Sequence, residues 1–94
     1  MYRIQRSRQF LRDLEKLKRQ KKDLRLLQNV VDLLCASDEP LPREFRDHPL
    51  KGAEKGFREC HIKDDWLLKY YKDRNVLVHV LSRTGTLQDL FGED

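Results

Sequence analysis

The sequence lacks any apolar segment that could cross a membrane. None of its hydrophobic runs approaches the ~20 residues that a transmembrane helix needs. Residues 1–6 carry no apolar signal segment, and neither an internal repeat nor a low-complexity stretch appears in the chain. We therefore expect a soluble, cytoplasmic protein with no membrane partner.

Cysteine is also scarce, which excludes two classes of small protein. The two cysteines, Cys35 and Cys60, lie far apart in the sequence, and neither belongs to a Cys-x-x-Cys motif or to a paired histidine spacing. Such a pattern indicates neither a disulfide framework nor a zinc site. We expect both thiols to be reduced and mostly buried, and the sequence predicts no metal or other cofactor.

The length of 94 residues is too small for two independently folded cores, so we predict a single domain over residues 1–94. Charged residues and hydrophobic residues each make up 38% of the chain, which is a high charge content for a globular domain. Disorder is not expected, because Phe57, Trp66, Tyr70 and Tyr71 fall in compact clusters with leucines and valines that can build a core.

The basic residues are concentrated at the N-terminal end. Residues 1–22 contain nine of the 20 lysines and arginines but two of the 16 acidic residues, a local net charge of +7 against +4 for the whole chain. A surface this basic suits a polyanion, with nucleic acid as the first candidate and an acidic protein as the second. A solvated helix face is the alternative explanation.

The N-terminal part of the chain predicts a strand followed by two helices. Residues 2–6 alternate as a short strand does, and Ser7 stands where a helix N-cap is expected. Asp23 can cap a second helix, which ends before Pro40. The apolar residues of both helices recur at helical spacing: Phe10, Leu14, Leu17, Leu24, Leu27, Val30, Val31 and Leu34.

The C-terminal part predicts an ordered loop followed by strands. Residues 41–52 contain both proline and glycine and few apolar residues, so we interpret them as an ordered loop. Residues 87–91 are too few for an independent element and are expected to fold back on the sheet. Three strands are predicted as an antiparallel meander, at residues 56–62, 66–71 and 76–82.

The predicted order of elements is β-α-α-β-β-β. This order indicates an α+β fold in which a small antiparallel sheet packs on an N-terminal helical hairpin. The helices then cover one face of the sheet and leave the other partly free. An open sheet face of this kind suits the binding of a polymer.

Several segments of the second half carry a more specific signal. They are DHPLKG (residues 47–52), FRECHI (57–62), DWLL (65–68), and RTGT (83–86) with DLF (89–91). In that order and spacing they resemble the YafQ branch of the RelE/ParE superfamily of bacterial type II toxins. Toxins of this kind are ribosome-dependent endoribonucleases that cut mRNA in the A site, and a cognate antitoxin silences them.

The resemblance implies a RelE-like, microbial-RNase-like fold, which agrees with the order of elements described above. It implies a toxin of the bacterial cytoplasm whose partners are a cognate antitoxin and mRNA on the 70S ribosome. Contact with DNA is expected only indirectly, through the antitoxin. Cleavage is expected to proceed by metal-free acid–base chemistry through the 2′-hydroxyl.

The resemblance also implies a catalytic set. His48, His61 and Asp65 occupy the positions of the family's catalytic residues, and Phe91 matches an aromatic residue of the active site. Position 87 departs from the pattern, because Leu87 stands where the family has the histidine that is generally taken as the proton donor. Histidine suits acid and base roles because its ordinary pKa of about 6.5 keeps both forms available at neutral pH. Asp65 could orient a histidine.

Two further residues are not expected to take part. Cys60 and His61 are adjacent on a predicted strand and therefore point to opposite faces, which makes a Cys/His nucleophile pair improbable. His79 shares a strand face with leucines and is expected to be a packed, hydrogen-bonded histidine.

Other residues could hold the RNA. Lys51 and Arg83 can bind phosphate oxygens, and Trp66, Tyr70 and Phe91 can stack on bases. Trp66 could instead belong to the core, and Arg83 could be an ion-paired strand residue. We expect the basic residues around the end of the first helix to grip ribosomal RNA: Lys18, Arg19, Lys21 and Lys22.

Leu87 leaves the mechanism open. Leucine cannot donate a proton, and the loss of general acid catalysis alone lowers a rate by a factor on the order of 10²–10⁴. Three explanations remain: His48 or His61 has taken over the acid role, the protein has lost activity, or the substitution was introduced to inactivate a lethal toxin. The alternative function is therefore a catalytically inactive binding module or a co-repressor with an antitoxin. A gyrase-poisoning toxin of the ParE branch is not expected, because that branch lacks the histidine set.

Overall fold

Two helices pack on a five-stranded mixed sheet in the computed structural model, which describes residues 3–36, 39–73, 78–87 and 90. The spatial order of the strands is β1-β5-β4-β3-β2. The α+β class predicted from the sequence is confirmed. The elements are β1 (Arg3–Arg6), α1 (Arg8–Arg19), α2 (Leu24–Ala36), β2 (His48–Pro49), β3 (Arg58–Lys63), β4 (Trp66–Asp73) and β5 (Val78–Thr86).

Both helices begin where the sequence predicts. The Ser7 hydroxyl accepts a hydrogen bond from the Phe10 amide at 2.9 Å and donates one to the Ser82 carbonyl at 2.7 Å, so it caps α1 and ties it to β5. At the start of α2, Asp23 Oδ1 accepts a hydrogen bond from the Arg25 amide at 3.1 Å. Caps of this kind satisfy amides that a helix leaves unpaired at its first turn. Of the helices that the structure describes, none is long and apolar enough to cross a membrane.

Strand β1 corrects the expectation of a purely antiparallel sheet. It runs parallel to β5, with Arg3 opposite Val78 and Arg6 opposite Leu81. A parallel pair needs a long connection, and the chain between β1 and β5, which includes both helices, provides it. Alternation predicts a strand but not its partner, so the sequence could not reveal this pairing. The antiparallel β3-β4-β5 meander is confirmed, although the predicted start of its last strand at residues 76 and 77 lies outside the described residues.

The predicted loop over residues 41–52 contains a short strand. Two single turns of 3-10 helix, Arg43–Phe45 and Gly52–Glu54, lie on either side of β2. Strand β2 pairs antiparallel with the start of β3, so that His48 lies directly opposite Glu59. His48 therefore lies on the edge strand of the sheet rather than in a loop. A strand of two residues has no periodicity that a sequence could show.

The core lies between the helices and one face of the sheet. Successive strand residues point to opposite faces, so Cys60, Leu68 and Tyr70 face the helices while Leu67 is buried on the other side. Beyond the end of β5, the Leu87 amide donates a hydrogen bond to the Asp65 carbonyl at 2.9 Å, which brings the chain back to the turn between β3 and β4. The cluster between helices and sheet comprises Phe10, Leu17, Leu27, Val30, Val31, Leu34, Leu41, Cys60, Ile62, Trp66, Leu68, Tyr70 and Leu81.

Candidate functional site

The face of the sheet that points away from the helices carries the predicted histidines. On β3, Glu59 and His61 point to this open face, whereas Cys60 between them is 0% exposed in the core. Burial raises the pKa of the Cys60 thiol to about 12, so this thiol is protonated at neutral pH and is a poor nucleophile. The sequence-based argument against a Cys/His pair agrees with this placement.

His48 and His61 lie close together on neighbouring strands. Their ring centroids are 6.4 Å apart and their planes are inclined by 41°. β2 supplies one ring and β3 the other, because the pairing of these strands places residue 48 two positions from residue 61 along the ladder. The structure therefore brings together two of the three residues that the resemblance assigned to catalysis.

His48 lies close to Glu59, a residue that nothing in the sequence singled out. His48 Nδ1 lies 2.7 Å from the Arg46 carbonyl oxygen, and His48 Nε2 lies 3.6 Å from Oε1 of Glu59. The Glu59 side chain is 10% exposed, and its Oε2 is buried with no hydrogen-bond partner among the described residues. The spacing of Glu59 and His61, two positions apart on one strand, was the signal that could have placed both on one face.

Aromatic and basic side chains continue the open face towards β4. The Phe57 and Tyr71 rings meet edge to face with centroids 5.2 Å apart, and Lys69 Nζ lies 4.6 Å above the Phe57 ring. Lys69 also forms an ion pair with Glu54. Phe57 and Tyr71 are half-buried, whereas their sequence pattern predicts only core residues.

On the helix side, a buried polar cluster anchors the residue that precedes His48. Asp47 Oδ1 accepts hydrogen bonds from the Tyr70 hydroxyl at 2.9 Å and from Arg58 Nε at 3.2 Å. Burial raises the pKa of Tyr70. The Tyr70 ring belongs to the core, so it is not placed to stack on a base, contrary to the expectation from sequence.

The side chains of Trp66 and Arg83 form hydrogen bonds within the domain. Trp66 is 2% exposed, and its indole Nε1 donates a hydrogen bond to Thr84 Oγ1 at 2.9 Å. This ring is therefore a core residue rather than a platform for RNA, which is the alternative that the sequence left open. The Arg83 guanidinium donates to both carboxylate oxygens of Asp13, at 2.9 and 3.1 Å. Residue 13 on α1 is far from Arg83 in the sequence, so this partner could not be predicted.

Asp65 and Leu87 lie side by side at one end of the open face. The Asp65 carbonyl accepts the Leu87 amide, and both side chains are exposed, Leu87 by 47%. Among the described residues, no hydrogen bond joins the Asp65 carboxylate to His48 or His61, so the structure gives no support to its predicted role in orienting a ring. Phe91 and the side chain of His79 lie outside what the structure describes.

The predicted basic residues follow one another at the end of α1 and in the following turn, where Lys18, Arg19 and Lys21 are exposed and Lys22 is half-buried; together they are called the exposed cluster. Lys18 pairs with Glu15 at 3.4 Å, and both side chains remain largely in solvent. Lys21 adopts a left-handed conformation with φ of 60°, which ends the helix and turns the chain. Lys51 is also exposed, in the segment after β2. Within the described ranges, no three histidine, cysteine or acidic side chains converge to hold a metal ion.

Comparison with known proteins gives consistent matches over the whole chain. A family model described as "Bacterial toxin of type II toxin-antitoxin system, YafQ" matches residues 2–92. The chain is 38% identical, over 95% of both sequences, to the mRNA interferase toxin YafQ of Escherichia coli K12.

Solved structures with the same fold include a metal-bound toxin from Helicobacter pylori and the DinJ-YafQ complex of E. coli. The first is 42% identical with a TM-score of 0.88 and covers 97% of this chain and 100% of its own. The second is 35% identical with a TM-score of 0.87 and covers 98% of this chain and 100% of its own.

Proposed function

The chain belongs to the YafQ family of bacterial type II toxins, and on that basis we propose that it is a ribosome-dependent mRNA endoribonuclease. Its relative in E. coli is named an mRNA interferase, and the proposal carries that activity to this chain. The finer claim is that the protein enters the ribosomal A site and cleaves the codon there by acid–base chemistry through the 2′-hydroxyl.

The observation that carries the proposal is the pair His48 and His61. Cleavage of RNA through its 2′-hydroxyl needs one group to take a proton and another to give one, on opposite sides of a phosphate. Two imidazole rings with centroids 6.4 Å apart on an open sheet face leave room for a phosphodiester between or above them. Histidine is the side chain best able to fill both roles near neutral pH.

The remaining roles follow from position on the open face. His61, on the central part of β3, is the proposed base for the 2′-hydroxyl proton. Lys51 is the proposed phosphate ligand, because it is exposed in the segment directly after β2. Asp65 stays in the proposed set as an exposed carboxylate at the end of this face, where it would contact the RNA rather than a histidine. Phe91 keeps its proposed role in base contact from the resemblance alone.

Two surfaces are proposed to bind RNA outside the reacting phosphate. The exposed cluster at the end of α1 would grip ribosomal RNA through phosphates, which Lys18, Arg19, Lys21 and Lys22 are able to do as solvent-accessible cations. The Phe57 and Tyr71 rings would take over the stacking that the buried Trp66 cannot provide.

A cognate antitoxin is the proposed protein partner. The E. coli relative was crystallised as a DinJ-YafQ complex, and a chain with a strongly basic N-terminal segment suits an acidic partner. DNA would be reached only through that antitoxin. The proposed location of the complex is the bacterial cytoplasm.

The second candidate function is a catalytically inactive module that occupies the A site or acts as a co-repressor with the antitoxin. One observation favours it. Position 87, where the resemblance places a proton donor, is occupied by an exposed leucine, Leu87. The two functions predict the same binding and differ only in cleavage.

Primer extension on ribosomes programmed with a defined mRNA tests both candidates. The wild type is expected to cut the A-site codon, to leave ribosome-free mRNA intact, and to act equally well with a zinc-selective chelator that leaves the ribosome's Mg²⁺ in place. His61→Gln should lower the cleavage rate by a factor on the order of 10²–10⁴, and Asp32→Asn, an exposed acid on α2, should leave it unchanged. A block to primer extension without cleavage would support the inactive module, and equal cleavage of free mRNA would contradict ribosome dependence.

A further inference from the structure

Position 87 cannot supply the proton that the leaving 5′-oxygen of RNA requires. We propose that His48, whose Nε2 faces the buried carboxylate of Glu59, is the proton donor of this chain. The inference deepens the proposed function and rests on it. His48 is then a catalytic residue, and Glu59 is a positioning residue that acts through it.

Of the two ring nitrogens of His48, Nε2 is the one that can give a proton to a substrate. Nδ1 lies 2.7 Å from the Arg46 carbonyl oxygen. A carbonyl can only accept a hydrogen bond, so Nδ1 carries a hydrogen whether the ring is neutral or charged. The exchangeable catalytic proton is therefore the one on Nε2. The His48 side chain is 45% exposed, so a substrate can approach this nitrogen.

His48 Nε2 faces the carboxylate of Glu59. Glu59 Oε1 lies 3.6 Å away, which is within range of an ion pair but too long for a hydrogen bond. A neutral ring would present its Nε2 lone pair to this carboxylate, whereas the imidazolium presents a proton. Attraction at this distance favours the cation without trapping its proton in a hydrogen bond. Because the Glu59 side chain is nine-tenths buried, water weakens this attraction less than at an exposed pair.

The cationic side chains next to Glu59 form ion pairs with acids other than Glu59. Lys69 on β4 lies directly opposite Glu59 in the ladder but pairs with Glu54. Arg58 on β3 pairs with Asp47 on the helix side of the sheet.

Among the described residues, the cation that balances Glu59 is therefore His48. Oε2 of Glu59 has no hydrogen-bond partner there. His61, whose ring centroid is 6.4 Å from that of His48, is another titratable group on this face of β3, and the exposed Lys63 lies two positions further along the strand.

The chemical step balances with these groups. The 2′-oxygen attacks phosphorus as His61 takes its proton, and a bond forms between the 2′-oxygen and phosphorus. The bond between phosphorus and the 5′-oxygen breaks, and the 5′-oxygen keeps the electron pair and takes the proton from His48 Nε2. The products are a 2′,3′-cyclic phosphate and a 5′-hydroxyl. Solvent then removes the proton from His61 and returns one to His48.

The protonation state can be measured without any activity. Nitrogen NMR of the His48 ring in the intact protein over a series of pH values should show that the Nε2 proton is lost at a lower pH in Glu59→Gln than in the wild type. Glu59→Asp should fall between them, and Nδ1 should keep its proton throughout. Asp32→Asn, which removes an exposed acid on α2, should leave the wild-type series unchanged. Identical series for the wild type and Glu59→Gln would overturn the inference even if the protein cleaves mRNA.

The catalytic role is tested with an mRNA in which sulfur replaces the scissile 5′-oxygen. A thiolate leaves without protonation, so the loss of a general acid matters little for this substrate. His48→Gln should slow cleavage of ordinary mRNA on ribosomes by a factor on the order of 10²–10⁴ and slow cleavage of the sulfur substrate by less than about tenfold. Glu59→Gln should show the same selectivity with a smaller loss. Equal losses on both substrates would contradict the role of proton donor.

Leu87→His provides the matched gain of function. In the wild type it should raise cleavage by less than about tenfold, because His48 already supplies the proton, and in His48→Gln it should restore part of the lost rate. A larger gain in the wild type than in His48→Gln would contradict the inference. Failure of the wild type to cut either substrate would instead refute the proposed function, and the NMR result alone would then decide the state of His48.

Discussion

On β3, Cys60 points into the core between sheet and helices, and its neighbours Glu59 and His61 point to the opposite face. The helix side of the sheet is apolar, and its polar groups are paired: Asp47 accepts hydrogen bonds from both Arg58 and Tyr70. The open side places two histidines next to a buried carboxylate oxygen that has no partner among the described residues. Because its side chains alternate, one strand contributes to the core on one face and to the proposed site on the other.

The difference between the faces has an energetic meaning. A buried polar atom without a partner costs about 1–3 kcal/mol of stability, and more when it is charged. Within the part of the chain that the structure describes, the helix side avoids this cost, whereas Glu59 on the open side bears it. Such unpaired groups concentrate at functional sites, where their charge acts on a neighbour. Substitutions on the helix side should therefore change the free energy of unfolding, and those on the open side should change activity.

The largest effect is expected from Leu68→Ala in the core. Leu68 is 0% exposed and faces the helices. Truncation of a buried leucine leaves a cavity and lowers the free energy of unfolding by about 2–5 kcal/mol. Urea denaturation followed by circular dichroism measures this loss. His61→Gln, on the open face, is the matched change and should alter the same quantity by less than about 0.5 kcal/mol; equal losses for the two variants would remove the distinction between the faces.

Trp66→Phe should have the second largest effect, because it removes the hydrogen bond from the indole nitrogen to Thr84 Oγ1. We expect a loss of about 1–3 kcal/mol in the free energy of unfolding. Ribosome binding by the folded fraction should not change, since the ring is buried. Tyr71→Leu, on the open face, should weaken ribosome binding and leave the free energy of unfolding nearly unchanged. Weaker ribosome binding by a fully folded Trp66→Phe variant would show that the tryptophan contacts RNA.

Local signals in the sequence predicted local structure well. The capping side chain of Ser7, the helical spacing of the leucines and the alternation in β3 each depend on residues within one turn or one strand of each other. The parallel pairing of β1 with β5 and the ion pair between Asp13 and Arg83 join parts of the chain that are far apart. No pattern within a segment encodes such partners, which is why they were missed.

The candidate site was predicted in part for the same reason. His48 and His61 came from a resemblance that marks residue types at fixed spacing, and the structure brings their rings together. Glu59 was missed because a glutamate on a strand is ordinarily a solvated residue, and its burial depends on pairing with β2. The sequence leaves Trp66 open between the core and RNA contact, and packing against the rest of the fold decides between them.

The third largest effect is expected from the Cys60 thiol on the helix side, whose protonation makes the free energy of unfolding depend on pH. Burial raises the pKa of this thiol to about 12 in the folded protein, against about 8.5 in the unfolded chain. The folded state therefore binds this proton more tightly, so its stabilising contribution is complete below about pH 8.5 and is lost as the pH rises towards 12. The loss should reach about 1–2 kcal/mol by pH 10.

Comparison of wild type with Cys60→Ala isolates this contribution. Denaturation in urea at a series of pH values should show a steeper fall between about pH 8.5 and 10 for the wild type than for the variant. Tyr70 adds little in that window, because its unfolded pKa is about 10. Cys35→Ala serves as the control for removing a less buried thiol. Parallel curves for wild type and Cys60→Ala would mean that the thiol ionises in the folded protein and that the helix side admits water.

The smallest effect on stability is expected where neither face is involved, in the exposed cluster at the end of α1. Replacement of Lys18, Arg19, Lys21 and Lys22 by glutamine should change the free energy of unfolding by less than about 0.5 kcal/mol, because the ion pair in the cluster is exposed. Binding to ribosomes should weaken, and the dependence of its logarithm on the logarithm of salt concentration should flatten by about one unit for each phosphate that the variant no longer neutralises. Arg43→Gln with Lys55→Gln, two exposed bases elsewhere on the chain, is the control and should leave the slope unchanged. An unaltered slope in the fourfold variant would show that this cluster faces something other than RNA and would leave the open face as the whole of the RNA-binding surface.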